Sequence, residues 1–286
     1  MTAHQQAFFH DATFTVTYLV WDDATKAAAI IDPVLDYAPA SASVSTGFAD
    51  RVLTAAADLG LTIQYVLETH AHADHLSAAD HIRRATGATV VIGEHIGDVQ
   101  AHFAPLFEAD DVVPDGSAFG RLVHDGETLT LGETPITVMH TPGHTAACVT
   151  YLIGDAAYVG DTLFMPDYGT ARTDFPGGDA VLLYRSIRRI LTLPPETRLF
   201  VGHDYLPEGR KTFAWETTVA EERERNVHVR DGVTEADFVA LRQGRDATLA
   251  PPALILPSLQ VNIRAGALPP ASANGRVYLK LPVTLG

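Results

Sequence analysis

The chain has 286 residues, 47% of them hydrophobic, and a net charge of −15 with its 13 histidines counted as neutral. That fits a globular chain with a sizeable core, and the acidic balance argues against nucleic acid or an anionic membrane as the main partner. No apolar run is long enough to span a membrane, residues 1–10 lack a basic-then-apolar leader, and the single Cys148 cannot form an internal disulfide, so a reducing cytoplasm is the expected location.

The opening pattern predicts β structure. Residues 13–20 alternate apolar and polar, 22–25 supply a turn, and 27–31 make a short buried strand ending at Asp32-Pro33. Residues 48–59 carry apolar positions at helical spacing, and Gly60 stops them. The next strand, 61–67, runs into Thr69-His70-Ala71-His72-Ala73-Asp74-His75. A helix is expected over 76–86, ended by Gly87, and then a strand over 88–92. From 122 to 161 the signal is repeatedly β, interrupted by Thr141-Pro142-Gly143-His144, and a glycine- and proline-bearing loop follows over 165–178. Asp179 is placed to cap a helix reaching residue 193, and the strand 198–201 delivers His203. Helical patterns return over 216–226 and 234–242, where Thr234 and Asp237 resemble a capping box.

Beyond Pro251 proline becomes dense, which reads as an extension wrapped on the core rather than an independent unit. Two β-rich halves, each with helices, predict an α/β fold: a four-layer αββα sandwich. Its expected division is a catalytic domain over 1–230, with a C-terminal helix and proline-rich extension over 231–286.

Seven potential metal ligands stand in one order: His70, His72, Asp74, His75, His144, Asp161 and His203. Imidazole suits zinc and iron, and carboxylate adds an anionic ligand. Each group follows an apolar segment, and residues at strand ends converge on one rim of a sheet protein. The set points to one or two metals.

These motifs, with Gly160-Asp161-Thr162-Leu163-Phe164, resemble the metallo-β-lactamase superfamily. Ala73, Cys148-Val149-Thr150-Tyr151, Arg172-Thr173-Asp174-Phe175, Gly202-His203-Asp204-Tyr205 and Thr218-Val219-Ala220-Glu221-Glu222-Arg223 are similar to segments of the persulfide dioxygenases within it. That resemblance implies one ferrous iron held by His70, His144 and Asp161, with His72, Asp74, His75 and His203 retained around it or holding a second metal. It also implies glutathione persulfide or a similar small persulfide as substrate, oxidised with O2 to sulfite in sulfide detoxification. The tail from Leu259 to Lys280 resembles the extension of a bacterial subgroup associated with sulfide detoxification. Glyoxalase II, a thioester hydrolase using one or two zinc ions, is the near relative. It usually has an aromatic residue at Ala73 and a histidine at Cys148.

Two His and one carboxylate on one face of iron leave three positions for substrate and O2. Arg172 is the candidate to grip a substrate carboxylate, its alternative being an internal ion pair with Asp174 or Asp167. Tyr205 is a candidate hydroxyl near the metal, or else a packed ring. Cys148 reads as a buried structural thiol, and His81, His95, His102 and His124 as non-ligands. No nucleic acid or membrane partner is expected, and a homodimer is left open.

Overall fold

The computed structural model describes residues 4–284, so the start of the segment read as lacking a leader, residues 1–3, lies outside it. The first half runs β1 (His4–His10), β2 (Thr15–Trp21), β3 (Ala27–Ile31), β4 (Val34–Ala38), β5 (Ser43–Ser45), α1 (Gly47–Asp58) and β6 (Thr62–Leu67). It continues with β7 (Leu76–Ser77), α2 (Ala79–Thr86), β8 (Thr89–Gly93), α3 (Ile96–Leu106) and β9 (Arg121–Val123). The second half holds β10 (Thr128–Leu131), β11 (Thr134–His140), β12 (Val149–Ile153), β13 (Ala156–Gly160), α4 (Ala180–Ile190) and β14 (Arg198–Val201). β15 (Glu216–Thr218), α5 (Val219–Arg225), α6 (Glu235–Asp246) and α7 (Ile255–Asn262) complete it.

Six strands in the order β1-β2-β3-β6-β8-β9 form one sheet, and β10 to β15 in sequence order form the other. Strand alternation sorts their side chains into three apolar layers. Val16, Tyr18 and Val20 of β2 meet Ile136, Tyr151 and Phe200 between the sheets. Leu19 points the other way, into a layer with Phe48, Val52, Ile82 and Phe103 of the helices covering the first sheet. Val159, Leu199 and Val201 face Leu183, Ile187 and Phe238 beneath α4 and α6. The αββα sandwich is therefore the observed architecture. No helix among the described residues is long and apolar enough to cross a membrane.

Several local expectations need correction. Residues 4–10 form β1, antiparallel to β2 from His4 opposite Trp21 to His10 opposite Thr15, though they carry no strong alternation. The helix expected over 76–86 begins instead as β7, because Leu76 and Ser77 pair with Leu35 and Val34. Residues 216–218 pair with 198–200 as β15 before α5 starts, so tertiary pairing overrides the helical spacing there. In the proline-rich tail, α7 forms because Pro257 falls in the first turn, where its missing N–H has no helical partner to lose. The expected caps are present: the Asp179 side chain accepts from Leu182 N, and Thr234 from Asp237 N.

Glu222 of α5 is fully buried, and Asn226 Nδ2 donates to one of its oxygens at 2.6 Å. Burial pushes its carboxyl from the usual 4.5 up to about 8, against the pull of Asn226. Below pH ~4.5 the group is protonated in folded and unfolded chains alike, and its full contribution is present. As pH rises to about 8, only the unfolded chain ionises, so stability falls by up to about 1.4 kcal/mol per pH unit. Glu222→Gln should therefore unfold at a higher denaturant concentration than wild type at pH 9 and close to it at pH 5. A gain that is the same at both pH values would contradict this.

Candidate metal centre

The ligand loop 70–75 leaves β6 without helix or strand pairing of its own, so other segments supply its partners. Asp32, at the end of β3, accepts from Thr69 N at 2.7 Å and from Thr69 Oγ1 at 2.8 Å. Asn262 of α7 donates Nδ2 to His72 O and His75 O at 2.7 and 2.8 Å, and accepts from Ser77 N at 2.8 Å. Gly143 has φ 135°, and a Cβ there would lie 2.2 Å from Leu183 N, so the turn carrying His144 requires glycine. Gly202 likewise leaves room for Asp161, whose Oδ1 would stand 2.6 Å from a Cβ.

Four of the histidines in this set, all but His72, are aimed by their other nitrogen. His144 Nδ1 donates to Arg172 O at 2.8 Å, His203 Nδ1 to Phe14 O at 3.2 Å, and His75 Nδ1 to Leu76 O at 3.1 Å. His70 Nδ1 pairs with Thr69 Oγ1 at 3.0 Å. Such bonds fix the tautomer and present Nε2 inward. Asp161 Oδ2 lies 3.9 Å from His70 Nε2 and 3.7 Å from His144 Nε2. Its Oδ1 lies 3.4 Å from His203 Nε2, which is 3.3 Å from Asp74 Oδ2. Ligands about 2.0–2.2 Å from one ion lie within about 4.4 Å of each other, so both sets fit a cation.

Two groups of three thus share Asp161: His70-His144-Asp161 and Asp74-Asp161-His203. His72 joins neither. Its Nε2 stands 3.0 Å from Asp32 Oδ1 and 3.4 Å from Glu68 Oε2, and it groups with those carboxylates or with Asp74 and His75.

The electrostatics suit a metal. His70 Nε2, His75 Nε2, His203 Nε2, Asp74 Oδ2 and Asp161 Oδ1 are buried without hydrogen-bond partners. Such orphans are costly unless a cation satisfies them. Burial, aided by the neighbouring imidazoles, depresses the His70 pKa, and His75 is held down to about 3. Both therefore stay neutral, as ligation requires. Burial pushes Asp74 up, but His203, His75 and His72 outweigh it and hold the carboxyl down to about 2. Burial also lowers His72, but there Asp32 and Glu68 win and its pKa rises. The donor set fits iron or zinc.

A cavity of about 460 Å³ opens onto Ala73, Asp74, His144 and Asp161. Tyr205 lines it and stacks on His203 at 5.3 Å between centroids, with Phe164 and Tyr168 beside it. Arg172 lines it too, but its guanidinium forms a bidentate pair with Asp174 at 2.6 and 2.7 Å and donates to Ala250 O. Of the two roles weighed for its side chain, the internal ion pair is the one formed. Cys148 is buried against Thr145, and burial raises its thiol to about 12. His81, His95, His102 and His124 enter no metal-capable group among the described residues.

Sequence reading passed over Asp32, Glu68 and Asn262. Asp32 could have been found from its place at a strand end before Pro33. Asn262 lies nearly 200 positions from the loop it holds, and nothing local marks it. Asn262→Ala should leave three buried backbone groups unpaired, at about 1–3 kcal/mol each. Bound metal should then pass to a chelator about ten- to a hundredfold faster than from wild type. An unchanged release rate would show that Asn262 does not hold the loop.

Residues 10–203 match the family model of the metallo-β-lactamase superfamily. A probable metallo-hydrolase of Burkholderia pseudomallei is 53% identical over 97% of this chain and 98% of its own length. The human mitochondrial persulfide dioxygenase ETHE1 is 30% identical, over 69% of this chain and 66% of that protein. Among solved structures, ETHE1 from Myxococcus xanthus superposes with a TM-score of 0.74 at 34% identity, covering 93% of this chain and all of that one. Fold, ligand order and family model agree: the chain belongs to the metallo-β-lactamase superfamily.

Proposed function

We propose that the protein is a mononuclear iron-dependent persulfide dioxygenase that converts a small persulfide, O2 and water to thiol and sulfite. One observation carries the reading. His70, His144 and Asp161 converge, while His72, the histidine a three-imidazole zinc site would recruit, turns toward Asp32 and Glu68. A two-histidine, one-carboxylate face is the arrangement that leaves positions open for both substrate and O2. The likeness to human persulfide dioxygenase and to the Myxococcus structure supports it.

In this reading His70, His144 and Asp161 hold ferrous iron, which supplies the activation of O2 beside the substrate sulfur. Thr69 Oγ1 and Arg172 O keep the two imidazoles turned inward. The aromatic wall of Phe164, Tyr168 and Tyr205 limits water around the reacting sulfur. Tyr205, whose pKa burial pushes well up, stays protonated and contributes its ring face and a neutral hydroxyl rather than a phenolate. The persulfide gives up four electrons to O2, its S–S bond breaks, and water supplies the third sulfite oxygen, with two protons released.

A second reading rests on Asp161 itself. Its two oxygens face the two ligand groups separately, as a carboxylate bridging two metals would. That arrangement suits a dinuclear thioester hydrolase of the glyoxalase II kind, and the Burkholderia relative carries a hydrolase name.

Protein made with iron available should contain about one iron per chain, consume O2 with glutathione persulfide and release sulfite. His144→Ala should lose both iron and O2 uptake, whereas His203→Ala should keep the iron and about a tenth to a hundredth of the activity. Two tightly bound zinc ions, rapid hydrolysis of S-lactoylglutathione and an untouched O2 trace would establish the hydrolase instead.

A further inference from the structure

Three arginines face the cavity that holds His144 and Asp161: Arg172, Arg242 and Arg245. Two are engaged. Arg172 is locked to Asp174 and Ala250 O, as above. Arg242 is buried, with Nε 2.9 Å from Asp246 Oδ1 and Nη1 donating to Thr170 O at 3.1 Å. Arg245 differs. It is exposed, and its guanidinium has neither an ion pair nor a hydrogen bond among the described residues.

Arg242 and Arg245 stand three residues apart on α6, so both turn to the same side, toward the cavity. Of the residues lining it, His144 and Asp161 are buried and Arg245 is exposed, with the aromatic rings of Phe164, Tyr168 and Phe175 also in the wall. The charge of Arg245 reaches that wall: burial first, then Arg245 and Arg242, hold His228 down to about 4. His228 accepts from Thr170 N, in the cavity-lining loop. The chain carries a net charge of −15, so an anionic ligand of this cavity has to be met by a local cation, and Arg245 is without a partner among the described residues.

We propose that Arg245 is the anion-recognition residue of this cavity, and that it takes a carboxylate at the end of the substrate remote from the reacting sulfur. The mention of sulfur rests on the dioxygenase reading; the carboxylate does not. Arginine suits this task because its planar fork meets a carboxylate through two parallel hydrogen bonds. A cation in the last turn of α6 also favours the helix dipole, but that role would affect melting and leave ligand choice untouched.

The test uses two probes with one skeleton, glutathione and its uncharged-ended diethyl ester, titrated calorimetrically into anaerobic iron-loaded protein. Wild type should bind glutathione more tightly than the ester. Arg245→Gln should weaken glutathione about ten- to a hundredfold and leave the ester nearly unchanged, with Arg245→Lys between them. Unchanged glutathione binding by Arg245→Gln, an equal loss for both probes, or no preference in wild type would each overturn the proposal. The O2 electrode separates this from the reaction. Persulfide-dependent uptake without charge preference removes Arg245 and keeps the dioxygenase; charge preference without uptake does the reverse.

Discussion

The metal-binding run is an irregular loop, and the hydrogen bonds that hold it come from distant parts of the chain. Asp32 grips Thr69 at the entry to the loop, and Asn262 grips His72, His75 and Ser77 along it. Asp32 does so from φ 48°, a backbone conformation that costs a non-glycine residue on the order of 1 kcal/mol or more. The strain is tolerated because both carboxylate oxygens are used, and it falls where the ligand loop begins. Remove these ties and the loop that carries His70, His72, Asp74 and His75 loses its common reference.

Electrostatics then divides seven potential ligands unequally. Buried imidazoles around two carboxylates require either neutral rings or a cation, and the depressed pKa values of His70 and His75 meet the first condition. His72 escapes the rule because Asp32 and Glu68 face it from outside the cluster. That asymmetry favours one metal, whereas the split aim of Asp161 keeps a second within geometric reach. The three arginines lining the cavity divide in a similar way. Arg172 and Arg242 spend their charge inside the protein, and Arg245 keeps its own.

Much of this was legible in the chain. His70, His144, Asp161 and His203 sit at the ends of apolar segments, and the strand-like stretches over 61–67, 122–161 and 198–201 announced β6, β11, β13 and β14, which lead into them. Caps at Asp179 and Thr234 were readable because their physics is local. β1 and β15 were not, since their pairing depends on partners elsewhere. Asn262 was missed for the same reason, since a buried hydrogen bond across 190 residues leaves no periodic signal. Glu68, by contrast, has its partners His72 and Ser77 close in the chain and was passed over beside the denser histidine run. For Arg172 the sequence offered a substrate carboxylate or an internal ion pair, and the structure shows the pair with Asp174 formed.

The central claim is that one metal sits between His70, His144 and Asp161 while the neighbouring group stays without one. Crystals of protein purified anaerobically with iron, measured on both sides of the iron absorption edge, test it directly. The account predicts a single anomalous peak within about 2.2 Å of His70 Nε2, His144 Nε2 and an Asp161 oxygen. A second peak of comparable height between Asp74, His203 and the other Asp161 oxygen would contradict it.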